Sequence, residues 1–328
     1  MLKYILKRLL IMIPTILGVL LIIFTINYFT PGDPAMSALG KNYTEEAYIA
    51  KRIAMGLDQP FLVRYLLYIK NIVLHFDLGT SYNTLRPVRT MIAEGMVPTL
   101  KIGALSTLVT VIVGVFVGVI SAVKQYSVLD YVSTSLAIFL AAMPGFWLAL
   151  MCMMFFCIKL HWLPASGLNG WKSYILPVLC NALSPIAIVL RMTRTSMLDV
   201  ISADYVRTAR SKGLSERTVI LRHALRNALI PVITVIGMQL SMVVAGSVVI
   251  ESIFSISGIG MCMLTGINNS DYPVIQGSVF VLSLFVCVIN LLTDLAYAAV
   301  DPRIRSQFSG GAKSKKKKEE KPSAKEGA

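Results

Sequence analysis

The sequence predicts an all-α, polytopic membrane protein of six transmembrane helices, with an external segment after the first of them. Three observations carry this. Of the 328 residues, 55% are hydrophobic and the mean hydropathy is +0.70, above the about 45 to 50% apolar usage of soluble domains. Uncharged apolar stretches recur at the length a helix needs to cross a bilayer, about 20 residues for about 30 Å of hydrocarbon. The basic residues are bunched: Lys3, Lys7 and Arg8 at the start, eight between Arg191 and Arg226, none from 227 to 302, and nine from Arg303 to Lys325. Basic clusters that alternate with apolar spans follow the positive-inside rule.

The first span, Leu9 to Phe29, begins beside the cytosolic charges of Lys3, Lys7 and Arg8 and stops at Thr30-Pro31-Gly32-Asp33-Pro34, where prolines and a glycine end a helix. Its apolar run exceeds the about 7 to 15 residues of a signal-peptide core, so it reads as a retained helix, domain 1–30. Residues 31–97 then form the external, periplasmic segment. Its later part, Phe61 to Leu78, mixes aromatic and aliphatic residues with Arg64 and Lys70, the pattern of an amphipathic helix lying along the interface. Residues 98–300 carry the remaining five helices.

No charge interrupts Ile102 to Val123 or Tyr131 to Ile158, which are spans two and three, joined by a tight cytosolic turn over 124–130. Trp162 and Trp171 place His161 to Lys172 at the outer interface. Span four, Ser173 to Leu190, contains Pro177 and Pro185 and is expected to be short and kinked. Asn227 to Ile250 is span five and Tyr272 to Leu292 span six, with a short serine- and glycine-rich outer loop between them. Both termini are then cytosolic. Residues 301–328 turn to Gly, Ser, Lys and Glu, too few large apolar groups to offset ordering entropy, and are expected to be a disordered basic tail.

The cytosolic stretch 199–226 carries the strongest functional pattern. It reads as two short helices, the first from about Ala203 to Lys212 and ended by Gly213, a residue suited to the left-handed conformation after a helix. Ser215 caps the second, with Glu216 in its first turn and Arg222 and Arg226 late, each matching the helix dipole. On the first helix Tyr205, Ala209 and Gly213 recur every four residues, with Arg207, Arg210 and Lys212 around them. By physics alone this is either a face for a cytosolic partner or a basic amphipathic helix on the membrane surface.

The same segment, YVRTARSKG followed by RHALRNALIP, resembles the EAA loop of permease subunits in bacterial ABC importers of the dipeptide, oligopeptide and nickel group, specifically the B-type subunit. The central glycine of that motif falls at Gly213. Arg207 and Thr208 stand where its glutamate and first alanine are usual, and Ala209 keeps the pattern. Further signatures occur in the expected order: Pro31-Gly32-Asp33-Pro34, Gly56-Leu57-Asp58-Gln59-Pro60, Asp77-Leu78-Gly79, Pro98-Thr99-Leu100, Asp271-Tyr272-Pro273 and Asp301-Pro302-Arg303. Glu251 to Gly260 is similar to the family's outer-loop motif, with Ser257 where a proline is usual.

The resemblance implies the type I ABC importer permease fold in the cell inner membrane and a function in ATP-driven, binding-protein-dependent import of di- or oligopeptides, with nickel or another small solute as the alternative cargo. It implies a second homologous permease subunit, two cytosolic ATP-binding subunits and an extracytoplasmic substrate-binding protein as partners, beside the lipid bilayer itself. The ATPase-binding coupling helix would comprise Ala203, Tyr205, Arg207, Thr208, Ala209, Arg210, Lys212 and Gly213. ATP and Mg would be used by the partner ATPases, and this chain would bind no cofactor; it contains no G-x-x-x-x-G-K-[ST] phosphate loop.

Polar residues within the spans are the candidates for the translocation path: Gln239, Glu251, Asn290 and Asp294. Asn290 and Asp294 share one helix face, where path, interhelix and plain interface roles all remain open. Glu251 is either an exposed outer-loop carboxylate or a group facing the delivery side. His75, His161 and His223 are too scattered to share a metal, and no paired acids or Ser/His set stands at depth for an intramembrane enzyme. Basic residues bunched between spans do not form a nucleic-acid footprint, and a self-sufficient secondary transporter would need midplane coupling charges.

Overall fold

The computed structural model describes residues 2–40 and 43–300, so the tail expected to be disordered, 301–328, lies outside the described residues. Those residues are helical with no strand beyond one isolated bridge between Thr80 and Pro87. Helix α1 (Leu2–Phe29) is the first span, and the chain leaves it through Asp33. The Asp33 carboxylate caps α2 (Pro34–Leu39) by accepting from the Ala35 amide at 2.8 Å, and also accepts from the Tyr48 hydroxyl at 2.6 Å. Helix α3 (Glu45–Ala54) starts at a Thr44 cap with Glu45 and Glu46 in its first turn, where acids suit the helix dipole. Helix α4 (Phe61–His75) is the expected amphipathic helix. Its Ile72 is buried while Leu62, Leu66, Val73 and Leu74 are exposed.

Helix α5 (Val88–Val123) is the longest, and its buried face carries a stripe of small residues at three- or four-residue spacing: Gly95, Thr99, Gly103, Ser106, Thr110, Gly114 and Gly118. The stripe receives α8 (Lys172–Ile201). A Cβ on Gly114 would lie 2.8 Å from Val189, and one on Gly118 2.7 Å from Thr193, so this Gly-x-x-x-Gly pair exists to let two backbones approach.

Between them the chain departs from the continuous third span that the uncharged run 131–158 suggests. Helix α6 (Val128–Ala142) and helix α7 (Gly145–Cys152), extended as π-helix over Met153–Lys159, are bent by 105° at Met143-Pro144. Pro144 supplies no N–H and holds Met143 in an extended conformation (φ −79°, ψ 134°), which breaks the helix there. Span four also differs from expectation. It runs 30 residues through both prolines, held between its neighbours: the Ser106 hydroxyl of α5 donates to the Val178 carbonyl at 3.2 Å, and the Asn181 amide donates to the Val243 carbonyl of the last long helix before α13 at 3.4 Å. Arg191 and Arg194 therefore lie on α8, not in a loop.

After α9 (Asp204–Ser211) and the single turn α10 (Glu216–Thr218), a π-helical stretch Val219–Ala224 leads into α11 (Leu225–Ile253). The expected outer loop between spans five and six is itself a helix, α12 (Ile259–Asn268), packed against α5 and α13 (Tyr272–Val300). Its apolar residues Ile259 and Gly260 are buried, and burial stabilises a helix where composition suggested a loop. Among the described residues five helices are long and apolar enough to cross a membrane, six where the bent pair is counted as one broken span.

The signature aspartates are fasteners. Asp271, at the head of α13, accepts from the Ser81 hydroxyl at 2.6 Å and the Tyr82 amide at 3.0 Å, which ties the 77–87 loop to the last span. Asp77 Oδ1 accepts from the Gly79 amide at 2.9 Å within that loop. These bonds give loop backbone amides partners that no ladder of secondary structure supplies there.

Candidate functional site

Two polar knots grip α5, one near each end, and the short helix α9 hangs from the second. At the first knot, on the side of the molecule that carries residues 31–97, Glu251 is fully buried. Its carboxylate accepts from the Thr99 hydroxyl at 2.6 Å and from the Met261 amide at 3.1 Å, while Thr99 Oγ1 accepts from the Ile259 amide at 3.0 Å. A Cβ on Gly258 would overlap this carboxyl. Glu251 is thus not an exposed loop acid. Desolvating a carboxylate is tolerated only where donors surround it, and here they join α5, α11 and α12.

At the second knot Asp130 receives a bidentate grip from Arg194, Nε to Oδ1 at 2.6 Å and Nη2 to Oδ2 at 2.9 Å. The Ser121 hydroxyl and the Tyr126 amide also donate to it. The Asp130 side chain is 3% exposed and that of Arg194 23%. Fork-to-fork pairing of this kind fixes geometry as well as charge. It locks the turn between α5 and α6 to α8, ten residues before α9 begins.

Helix α9 itself is amphipathic over two turns. Val206 and Ala209 turn inward against Val219 and Val200, while Tyr205, Arg207, Thr208 and Arg210 are exposed. Lys212 and Gly213 follow, also exposed, with Gly213 at φ +76°, the left-handed turn its position demands. Ala203 is the N-cap. The sequence grouped Tyr205, Ala209 and Gly213 as one outward face. The structure corrects this, because Ala209 is the anchor that burial requires beside Val206, and the outward surface is the basic one. Tyr205 Oη accepts from Asn227 Nδ2 at 3.0 Å, and Arg210 pairs with Glu216 at 2.7 Å, so α9 is braced to the start of α11 at one end and to α10 at the other.

Of the four intramembrane candidates, Asn290 and Asp294 line one small pocket between α1 and α13, beside Arg8, Met12 and Thr15, and Gln239 and Glu251 lie apart from it. Asn290 is exposed and accepts from the Ser241 hydroxyl at 2.9 Å, linking α13 to α11. Gln239, half-buried, lies two residues from Ser241, which a helix turns to the opposite side. Asp294 forms an ion pair with Arg8 at 3.1 Å, which ties α13 to α1. The knot at Asp130 and Arg194 was missed by sequence reasoning, since the two are 64 residues apart. The available signal was an acid in a tight turn and an arginine within an apolar helix, both of which demand partners.

A cleft of about 550 Å³ opens between α1, α4, the 77–87 loop and the head of α13. Arg64 and Lys51 are its charged lining residues, beside Tyr68, Asn71 and Gln276. Burial pushes the Tyr82 phenol in its wall up to about 12, so that ring is uncharged at neutral pH.

Two family models cover nearly the whole chain: the binding-protein-dependent transport system inner membrane component over residues 114–306, and its N-terminal companion over residues 1–102. The chain is 41% identical to the glutathione transport system permease protein GsiC of Salmonella choleraesuis, across 93% of this chain and 99% of that protein. It is 38% identical to the dipeptide transport system permease protein DppB of Alkalihalophilus pseudofirmus, across 93% and 100% respectively. Among solved structures, the inward-facing methionine ABC transporter MetNI matches with a TM-score of 0.56 at 16% identity, over 65% of this chain and 97% of that one. An amino acid ABC transporter matches with a TM-score of 0.50 at 14% identity. The structural likeness establishes the fold.

Proposed function

The chain belongs to the family of binding-protein-dependent transport inner membrane components, and on that premise we propose that it carries small peptides, of the di- to tripeptide size of the dipeptide and glutathione its relatives are named for. It is an inner-membrane ABC importer permease and not an enzyme; it works with ATPase subunits and a substrate-binding protein. In this reading a second, homologous permease completes the path, and the two ATPases use ATP and Mg.

The termini and α9 are cytosolic, and residues 31–97 are external, between the first span (1–30) and the permease domain (98–300). The exposed residues Tyr205, Arg207, Thr208, Arg210, Lys212 and Gly213 form the surface that an ATPase grips. Ala203 and Ala209 set the position of α9 against the bundle. The observation that carries this reading is the attachment of α9: a basic helix clamped between α8 and α11 just beyond a bidentate knot to the α5–α6 turn. Movement imposed on such a helix reaches three spans as a rigid displacement, because packed elements shift as units and do not deform continuously.

Affinity purification of the tagged chain from mild detergent tests the assembly. Recovery of two ATPases and a second permease is the expected result. Recovery of the chain alone, with peptide uptake intact in liposomes, would overturn it in favour of a self-sufficient transporter.

A further inference from the structure

The cleft between α1 and α4 has a composition the transport reading does not use. Its lining contains two cations, Arg64 and Lys51, and no carboxylate. Arg64 is half-buried and sits over the Phe24 ring at 5.8 Å, and it forms none of the ion pairs described among residues 2–40 and 43–300. The polar lining residues Gln59, Asn71 and Gln276 add amide donors. The Tyr68 hydroxyl, also in the lining, is buried without a hydrogen-bond partner among the described residues. A site with net positive charge and spare donors is complementary to an anion carrying several oxygens.

What surrounds the cleft narrows the anion further. Phe24 belongs to the last turns of the first span, so the cleft lies close to the depth at which α1 leaves the hydrocarbon. Leu67 lines the cleft and is itself exposed, continuous with Val63 and Leu74 along one apolar stripe of α4, with Leu62, Leu66 and Val73 beside it. A positively charged pocket opening onto an exposed apolar helix face at that depth matches an amphiphile, charged at one end and apolar at the other. A volume of about 550 Å³ falls within the about 300 to 1,000 Å³ of small-molecule sites.

We propose that this cleft binds the headgroup of an anionic phospholipid from the outer leaflet, with its phosphate between Arg64 and Lys51 and its acyl chains along the exposed face of α4. The lipid would staple α4 to α1 and so hold the external segment against the bundle. This rests on the external placement of residues 31–97 proposed above.

Native mass spectrometry of the full-length chain in detergent, titrated with phosphatidylglycerol, phosphatidylcholine or inorganic phosphate, tests it without any ATPase or transport step, so its failure is separate from failure of the transport reading. Preferential retention of phosphatidylglycerol is expected, weakened about fivefold by Lys51→Gln and about twenty-five-fold by Arg64→Gln with Lys51→Gln, at about fivefold per basic side chain. Arg89→Gln, an exposed cation on α5 outside the cleft, should change nothing. If the double variant loses its fold, the single Lys51→Gln result decides. Equal retention of the two lipids, retention indifferent to Lys51→Gln, or full competition by inorganic phosphate would each overturn the assignment.

Discussion

At one end of α5 the Glu251 carboxylate is held by a hydroxyl and a backbone amide, while at the other end Asp130 is held by the guanidinium of Arg194. The first knot is sealed: Glu251 is fully buried, and Gly258 has no room for a side chain against it. The second is partly open, with the Arg194 side chain 23% exposed. A sealed knot made with backbone donors welds α5, α11 and α12 into one piece. The charge-to-charge knot between side chains ties the α5–α6 turn to α8 so that they shift together, and it is this knot that stands next to α9. The contrast divides the bundle into an end built to stay together and an end built to transmit displacement.

Breaking the sealed knot should have the largest effect on stability. Glu251→Ala leaves the Met261 amide without its acceptor, at about 1 to 3 kcal/mol, leaves the Thr99 hydroxyl only the Gly95 carbonyl, and opens a cavity in a fully buried site as well. Thermal unfolding in detergent should show Glu251→Ala as the most destabilised of the single variants named here, with Glu251→Gln intermediate. A Glu251→Ala protein that melts with the wild type would remove the distinction between the two ends.

Breaking the second knot should cost less. Removing one partner of a buried pair costs about 3 to 5 kcal/mol, but water can reach the freed guanidinium of Arg194, so Asp130→Asn should fall below that range. Its sharper consequence is functional, a drop in peptide carried per ATP hydrolysed. In a double-mutant cycle, Asp130→Ala and Arg194→Leu should be strongly non-additive in melting temperature; additive losses would mean that the ion pair does not join α6 to α8 in the membrane.

The ion pair of Arg8 with Asp294 offers a third, smaller contrast. Its side chains are 43% and 28% exposed, and pairs of that exposure contribute about 0 to 1 kcal/mol. Asp294→Asn should therefore move the melting temperature far less than Asp130→Asn and leave transport near wild type. A large transport loss with an unchanged melting temperature would return Asp294 to the translocation path.

How much of this was legible in the sequence follows from how local each signal is. Spans one, two and six, the amphipathic α4, and the helix-stop at Gly213 are written in hydropathy and turn chemistry within a few residues. The break at Met143-Pro144 was signalled by Pro144 and Gly145, yet an unbroken run of uncharged residues over 131–158 outweighed it. The length of α8 was hidden because Arg191 and Arg194 look like loop residues until Asp130, far away in the chain, accounts for one of them. Helix α12 was read as a loop because its glycines and Asn268, with the serines that flank it, suggest one, whereas burial against α5 and α13 decides. Glu251 misled for the same reason: a carboxylate near the end of a span looks solvent-bound, and only the fold brings Thr99 and the amide of Met261 to it.

The central claim is that ATPase work enters through the exposed face of α9 and passes to the spans at the Asp130 knot. The most direct test measures peptide uptake and ATP hydrolysis together in liposomes for Arg207→Glu, whose side chain is 72% exposed, in the assembled importer. The account predicts an unchanged melting temperature and full insertion, with uptake per ATP reduced at least about tenfold. Uptake per ATP equal to wild type, in a complex that assembles normally, would contradict it.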